Sequence, residues 1–218
     1  MNYDAVLFDN DGVLVEPPGR ESQAAATRAA FAAVGVEDPA AEHVHAVVDG
    51  VTVEGLRELC GAYGIDPERF WTARERRDEQ AQVRDLRAGE RELYDDVSAV
   101  ETLPRPRGVV SNNHDTTVAF VVEFFDLGGL FDAVHGRPKT VASLDRKKPA
   151  PDYVEAGLAD VGAESALYVG DSASDVLAAH RAGIDSAFLR RSHVADADLP
   201  VEPTHEVADL HGVAALVG

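Results

Sequence analysis

The chain has 218 residues, 45% hydrophobic and 6% aromatic, with 20 basic against 39 acidic side chains and a formal net charge of −19. That length suits one sizeable domain with a smaller accessory one. An acidic surface whose only lysines are Lys139, Lys147 and Lys148 lacks the basic patches that displace counterions, which argues against nucleic acid or an anionic membrane as partner. Cys60 stands alone, so no intrachain disulfide is possible and a reducing compartment is expected. Val53, Leu56 and Leu59 around it mark a packed core thiol rather than a nucleophile. No basic leader precedes a long apolar stretch, and no window approaches ~18 apolar residues. A soluble, cytoplasmic protein is predicted.

In chain order, the apolar run Ala5-Val6-Leu7-Phe8 predicts a buried strand, and Asp9-Asn10-Asp11-Gly12 follows at its tip. Positions i and i+2 share one side of a strand, and ligands of open α/β sheets collect where strands end, so Asp9 and Asp11 are partners at one candidate site. Pro17-Pro18-Gly19 then stops any helix and reads as a hinge. From Glu21 to about Arg91 only helices are expected: Gln23 to Val34, Val53 to Tyr63, and a long charged helix with Asp66 as N-cap and Pro67 in its first turn.

After Arg91 short apolar runs alternate with helical segments. Gly108 to Val110, Ala133-Val134, Ala166 to Val169 and Ala187 to Leu189 read as strands. Thr116 to Phe125, Asp152 to Val161 and Ser174 to Ala182 read as helices. Alternation of this kind predicts a parallel sheet, with the first strand joining it and the helical block inserted between, well placed to act as a lid.

Four polar clusters follow strand ends: Asp9-Asn10-Asp11-Gly12-Val13; Ser111-Asn112-Asn113; Lys148-Pro149-Ala150-Pro151; and Gly170-Asp171-Ser172-Ala173-Ser174-Asp175. In this order, over nearly the whole chain, they resemble the four motifs of the haloacid dehalogenase superfamily, in the branch that contains phosphoglycolate phosphatases and β-phosphoglucomutases. The resemblance implies an α/β fold, a Rossmann-like parallel-sheet core with helices on both faces (1–15 and 92–218) and an inserted all-α cap domain of the C1 type (16–91). It implies a Mg²⁺-dependent phosphatase acting on a small phosphorylated metabolite.

A carboxylate attacks an anionic phosphate monoester only where cations neutralise the phosphoryl oxygens. By resemblance Asp9 is the nucleophile that becomes an aspartyl phosphate, and Asp11 the acid/base for the leaving oxygen and then for water. By the same resemblance Mg²⁺, a hard ion that prefers oxygen ligands, would be held by the Asp9 carboxylate, the Asp11 carbonyl and Asp171, with Asp175 either a ligand or a residue behind one. Lys148, favoured over Lys147 because the family lysine directly precedes proline, is assigned to the catalytic set. Ser111 and Asn112 hold the phosphoryl group.

Blander readings compete at the margins. Ser111 is also a plausible helix cap, and Asn113 and His114 read as surface loop residues. His43 and His45 share a side only if extended and lack a third ligand, so a solvated pair is expected. The arginines of the inserted block, Arg57, Arg69, Arg74, Arg76, Arg77, Arg84 and Arg87, read mostly as i,i+4 partners on a solvated face.

Among branches of the superfamily, Asp11 disfavours dehalogenation, and a cap segment without lysine removes the Schiff-base route of phosphonatases. Val13, where phosphatases carry threonine, keeps a phosphosugar mutase as an alternative, although Gly170-Asp171 looks more like the phosphatase form. A non-catalytic scaffold is disfavoured because every motif carboxylate is present.

The acidic, lysine-poor surface also resembles that of proteins from salt-loaded cytoplasms, where the Debye length falls to about 3 Å at about 1 M and self-repulsion is screened. The melting temperature should therefore rise as KCl is added. A melting temperature that stays flat or falls across the titration contradicts a halophilic origin of the charge.

Overall fold

The computed structural model describes residues 3–103 and 106–218. The chain divides into two units, one of Met1–Pro17, Glu92–Arg137 and Arg146–Gly218, the other of Pro18–Arg91 and Pro138–Asp145. The first holds six strands: β1 (Ala5–Phe8), β2 (Arg107–His114), β3 (Ala133–Arg137), β4 (Ala166–Gly170), β5 (Asp185–Leu189) and β6 (His205–Val207). They form one sheet in the order β3-β2-β1-β4-β5-β6 with every pairing parallel. The order runs one way from β1 to β3 and the other way from β4 to β6, so β1 lies at the switch point where such sheets open a crevice at their carboxyl ends.

The second unit contains α1 (Arg20–Ala33), α2 (Ala41–Gly50), α3 (Val53–Tyr63) and α4 (Pro67–Ala88). Asp66 caps α4 by accepting from the Arg69 N–H at 2.8 Å, and Pro67 opens its first turn. The core of this unit gathers Phe31, Leu56, Cys60 and Phe70. It also takes in Val141 and Leu144, which explains why Pro138–Asp145, left with the sheet on sequence grounds, groups with the helices instead. Cys60 is fully buried, and burial pushes its thiol up to about 11, in keeping with a core residue. His43 and His45 lie two apart on a helix rather than a strand, so they do not share a face; His43 Nδ1 meets the Tyr63 hydroxyl at 2.7 Å.

Arg57, Arg69, Arg76, Arg77, Arg84 and Arg87 are exposed, as expected of a solvated face, and Arg74 is the exception. Arg74 is buried, not solvated, with its guanidinium 2.8 Å from Glu75 and 3.6 Å from Asp78. Arg74 and Asp78 do pair at i,i+4, but the face that carries them is covered.

Alternation along the strands builds the core on both sheet faces. Val6 and Phe8 of β1 join Val109, Val169 and Leu189 on one face. That face is covered by Val118 of α5 (Asp115–Phe124), Leu210 and Val213 of α8 (Leu210–Val217), and the 3-10 helix Asp95–Thr102. Ala5, Leu7 and Tyr168 face the other way, against Val154 of α6 (Asp152–Val161) and Ala179 of α7 (Ala173–Arg181). No helix among the described residues is long and apolar enough to cross a membrane.

A buried ion pair ties the far parts of this unit together. Arg191 donates to both Asp96 oxygens at 2.7 and 2.8 Å, and the Leu210 N–H donates to Asp96 Oδ2 at 2.8 Å. Burial alone would raise the Asp96 carboxyl, but the Arg191 and Leu210 bonds outweigh it and hold the group below its usual value near 3.8. A carboxyl depressed in the folded state stabilises at neutral pH, and that contribution disappears as the pH falls from about 4 through the folded value. Asp96→Asn should therefore lower stability at pH 7 by about 1–3 kcal/mol and flatten the acid limb of the urea-unfolding profile; an unchanged acid limb contradicts this role.

Candidate active site

The site grows from the carboxyl end of β1. The Asp9 N–H donates to the Val169 carbonyl at 2.9 Å, keeping the chain beside β4 for one residue beyond the strand. The Asn10 carbonyl then accepts from the N–H groups of Val13, Leu14 and Val15, and the Gly12 N–H donates to the Val15 carbonyl at 2.7 Å. This tight turn needs glycine for two reasons. Gly12 has φ of +80°, where side chains are disfavoured, and a Cβ there would stand 2.0 Å from Asp171 Oδ2. Past the turn, Val15 and Leu93 form an antiparallel bridge between the segment that leaves this unit and the one that returns.

Lys148 is the hub. Its Nζ lies 3.0 Å from Asp9 Oδ1 and 2.6 Å from Asp175 Oδ1. It also donates to the Tyr168 hydroxyl at 2.7 Å and to the Val110 carbonyl at 3.2 Å. The side chain is 1% exposed, and burial would drive its ammonium toward neutrality. Asp175 and Asp9 more than offset that and raise its pKa well above the usual value, so the lysine is held charged. Tyr168, hidden in the apolar run of β4, donates its own hydrogen to the Val110 carbonyl at 2.6 Å and completes the cradle.

Asn112 fixes the segment that carries the lysine. Its Oδ1 accepts from the Lys148 N–H at 2.7 Å, its Nδ2 donates to the Lys148 carbonyl at 3.0 Å, and its own carbonyl accepts from Arg137 Nε at 2.8 Å. The amide expected to hold a phosphoryl group is thus engaged in placing Lys148. Ser111 is buried at the end of the regular pairing of β2, where its Oγ accepts from the Asn113 N–H at 3.2 Å.

Both oxygens of Asp11 are taken by amides: Asn10 Nδ2 donates to Oδ1 at 2.9 Å and Asn113 Nδ2 to Oδ2 at 2.7 Å. Asn113, read from sequence as a surface loop residue, therefore belongs to the site. Nothing in its sequence position distinguishes an amide that turns inward from one that turns out.

Asp9, Asp171 and Asp175 each bring a carboxylate oxygen within 4.8 Å of the others. Burial first, then Asp175, Asp171 and Asp11, push Asp9 up to about 8 against the opposing pull of Lys148. Asp171 is also raised, burial and Asp175 outweighing His193 and Lys148. Three clustered carboxylates with one lysine leave surplus negative charge on an all-oxygen donor set, which fits a hard divalent cation. Asp175 is the most constrained of them. Its Oδ2 accepts from the Ser172 N–H at 3.0 Å and from Ser172 Oγ at 2.6 Å, closing a capping box at the start of α7. Gly170 makes room for it, since a Cβ there would stand 2.3 Å from the Asp175 Cβ.

Sequence reasoning also passed over His193, whose Nε2 lies 2.7 Å from Asp171 Oδ2. It sits in an irregular segment after β5 with no motif around it.

A buried acidic cluster with one lysine thus lies at the switch point of a parallel α/β sheet, where such folds bind their ligands. The sequence profile of the haloacid dehalogenase-like hydrolases matches residues 3–183, and the chain belongs to that family. No curated protein matches the sequence. Among solved structures, a predicted phosphoglycolate phosphatase from Haemophilus somnus is similar at 21% identity and a TM-score of 0.68, covering 99% of this chain and 98% of that one. CbbY from Rhodobacter sphaeroides, in complex with phosphate, is similar at 19% identity and 0.71, covering 95% of each chain. A haloacid dehalogenase-superfamily hydrolase of subfamily IA from Geobacter sulfurreducens follows at 20% and 0.60, covering 99% and 97%. These likenesses establish a shared fold.

Replacing the hub tests its electrostatics directly. Lys148→Met keeps the volume but strands Asp9 and Asp175 without their shared cation, and should cost at least about 2 kcal/mol of stability in EDTA. Urea unfolding measures it; a loss below about 0.5 kcal/mol, the range of a neutral surface change, contradicts the role.

Proposed function

We propose that this hydrolase is a Mg²⁺-dependent phosphatase that cleaves a small-molecule phosphate monoester through an aspartyl phosphate on Asp9. The observation that carries the reading is the Asp9 carboxylate, at the tip of β1, set beside Lys148 Nζ at 3.0 Å and grouped with Asp171 and Asp175. An anionic nucleophile reaches an anionic phosphate only in such a field.

In the first half-reaction Asp9 attacks phosphorus, the bond to the leaving oxygen breaks, and Asp11 hands that oxygen a proton. In the second, Asp11 takes a proton from water as the water attacks phosphorus, and the bond to Asp9 breaks to release inorganic phosphate. The two amides on Asp11 hold its carboxyl in one orientation for both transfers. Lys148 steadies Asp9 and offsets charge on the phosphoryl oxygens, and the buried Ser111 hydroxyl is the donor assigned to that group.

Asp9, the Asp11 main-chain carbonyl and Asp171 would hold Mg²⁺, with Asp175 drawn back onto Lys148 and Ser172. When bound, the ion supplies the positive charge that lets a carboxylate approach the phosphate. The family assignment supports hydrolysis, and the Haemophilus and Rhodobacter structures, a predicted phosphoglycolate phosphatase and a phosphate complex, favour phosphate as the group transferred.

Phosphate release from p-nitrophenyl phosphate and acetyl phosphate should require Mg²⁺, stop with EDTA, and fall below detection in Asp9→Asn. Inactivity across a broad panel of phosphorylated metabolites in high salt would sink the hydrolase reading. Conversion of a hexose 1-phosphate to its 6-phosphate with little phosphate released would replace it with a mutase.

A further inference from the structure

His193 lies on none of the four motifs, yet it is among the most firmly mounted side chains near the carboxylates. It belongs to the short 3-10 helix Ser192–Val194 that follows β5. Two arginines just before it pin that segment. Arg190 reaches Glu206 through Nε and one terminal nitrogen at 2.5 and 3.1 Å, and its other terminal nitrogen donates to the carbonyls of Val194, Ala195 and Ala197. Arg191 grips Asp96 with two donors, gives a further bond at 2.8 Å to the Val13 carbonyl in the turn after β1, and stacks over the Tyr94 ring at 3.8 Å.

Both imidazole nitrogens find partners in this mount. Nε2 stands 2.7 Å from Asp171 Oδ2, and Nδ1 3.3 Å from the Tyr94 hydroxyl. An ionised carboxylate can only accept, so Nε2 carries the hydrogen toward Asp171, with the tyrosine hydroxyl set against the far side of the ring. The same Oδ2 lies against Gly12, where even one added carbon would stand 2.0 Å from it. Gly12 thus leaves the room in which the histidine fixes the direction of the carboxylate.

We infer that His193 is a positioning residue for Asp171, backed by Tyr94 and holding Oδ2 so that the carboxylate keeps one direction for the metal ion. This rests on the reading of Asp171 as a metal-binding carboxylate. Hydrogen bonds from a fixed donor to a ligating carboxylate orient it, and removing such a partner commonly costs about 10–100-fold in metal affinity.

Calorimetric titration of Mg²⁺ into the full chain tests this without reference to turnover, with wild type, His193→Ala, His193→Gln and Tyr94→Phe compared. His193→Ala should weaken Mg²⁺ binding about 10-fold or more. His193→Gln, which keeps a side-chain N–H donor, should recover part of the loss, and Tyr94→Phe should weaken binding by a smaller factor. Melting curves of wild type and His193→Ala in EDTA give the stability that loss of the hydrogen bond costs by itself, and the loss of Mg²⁺ affinity should exceed it. Wild-type affinity in His193→Ala overturns the inference, as does an alanine variant that loses no more affinity than it loses thermal stability in EDTA. Should His193→Ala fail to fold, unchanged affinity in both His193→Gln and Tyr94→Phe overturns it, and a graded loss supports it. A wild-type chain that binds no Mg²⁺ instead overturns the metal reading of Asp171, and with it this inference.

Discussion

The constraint on which the site depends is a single buried ammonium shared by two carboxylates. Lys148 at 1% exposure has no water to solvate its charge, and Asp9 and Asp175 at 3.0 and 2.6 Å supply what solvent would have supplied. Much of the surrounding architecture serves that contact. Tyr168 and the Val110 carbonyl orient the ammonium from below, Asn112 clasps the backbone of Lys148, and the capping box of α7 locks Asp175. Burial, and after it the neighbouring carboxylates, push Asp9 up to about 8 against the pull of the lysine, and three carboxylates around one ammonium leave a cluster that suits a cation.

Topology explains how residues so far apart in sequence converge. β1 lies between β2 and β4 at the switch point of the sheet, so Asp9 follows β1, Ser111 and Asn112 lie toward the end of β2, and Asp171 follows β4, all at the same edge. Parallel pairing puts all these carboxyl ends on one side. Close approach then requires the absence of a side chain at Gly12 and Gly170, where a Cβ would collide with Asp171 and Asp175. These two glycines do as much for the site as the acids they make room for.

The parts legible in the sequence were those where a short-range pattern and a chemical requirement coincide. Asp9, Asp11, Asp171 and Asp175 each stand just beyond an apolar run whose strand character is plain, and Lys148 is marked by the proline after it. What stayed hidden depends on tertiary packing. Tyr168 looks like one more apolar residue of β4, and its hydroxyl matters only because Lys148 arrives there. His193 reaches Asp171 from an irregular segment held by arginine contacts across as many as 178 residues. Arg74 carries a surface-like pattern that the fold covers, Pro138–Asp145 joins the helical unit through two apolar side chains, and β6, three residues long, is too short to show a period.

The most direct test is to catch the covalent step. Asp11→Asn, mixed with acetyl phosphate and Mg²⁺, quenched in acid and digested, should yield a peptide phosphorylated on Asp9 by mass spectrometry, because the nucleophile acts while the base that clears it is missing. An Asp11→Asn sample with no phosphoryl group on Asp9, under conditions in which the wild-type enzyme releases phosphate, would contradict the account.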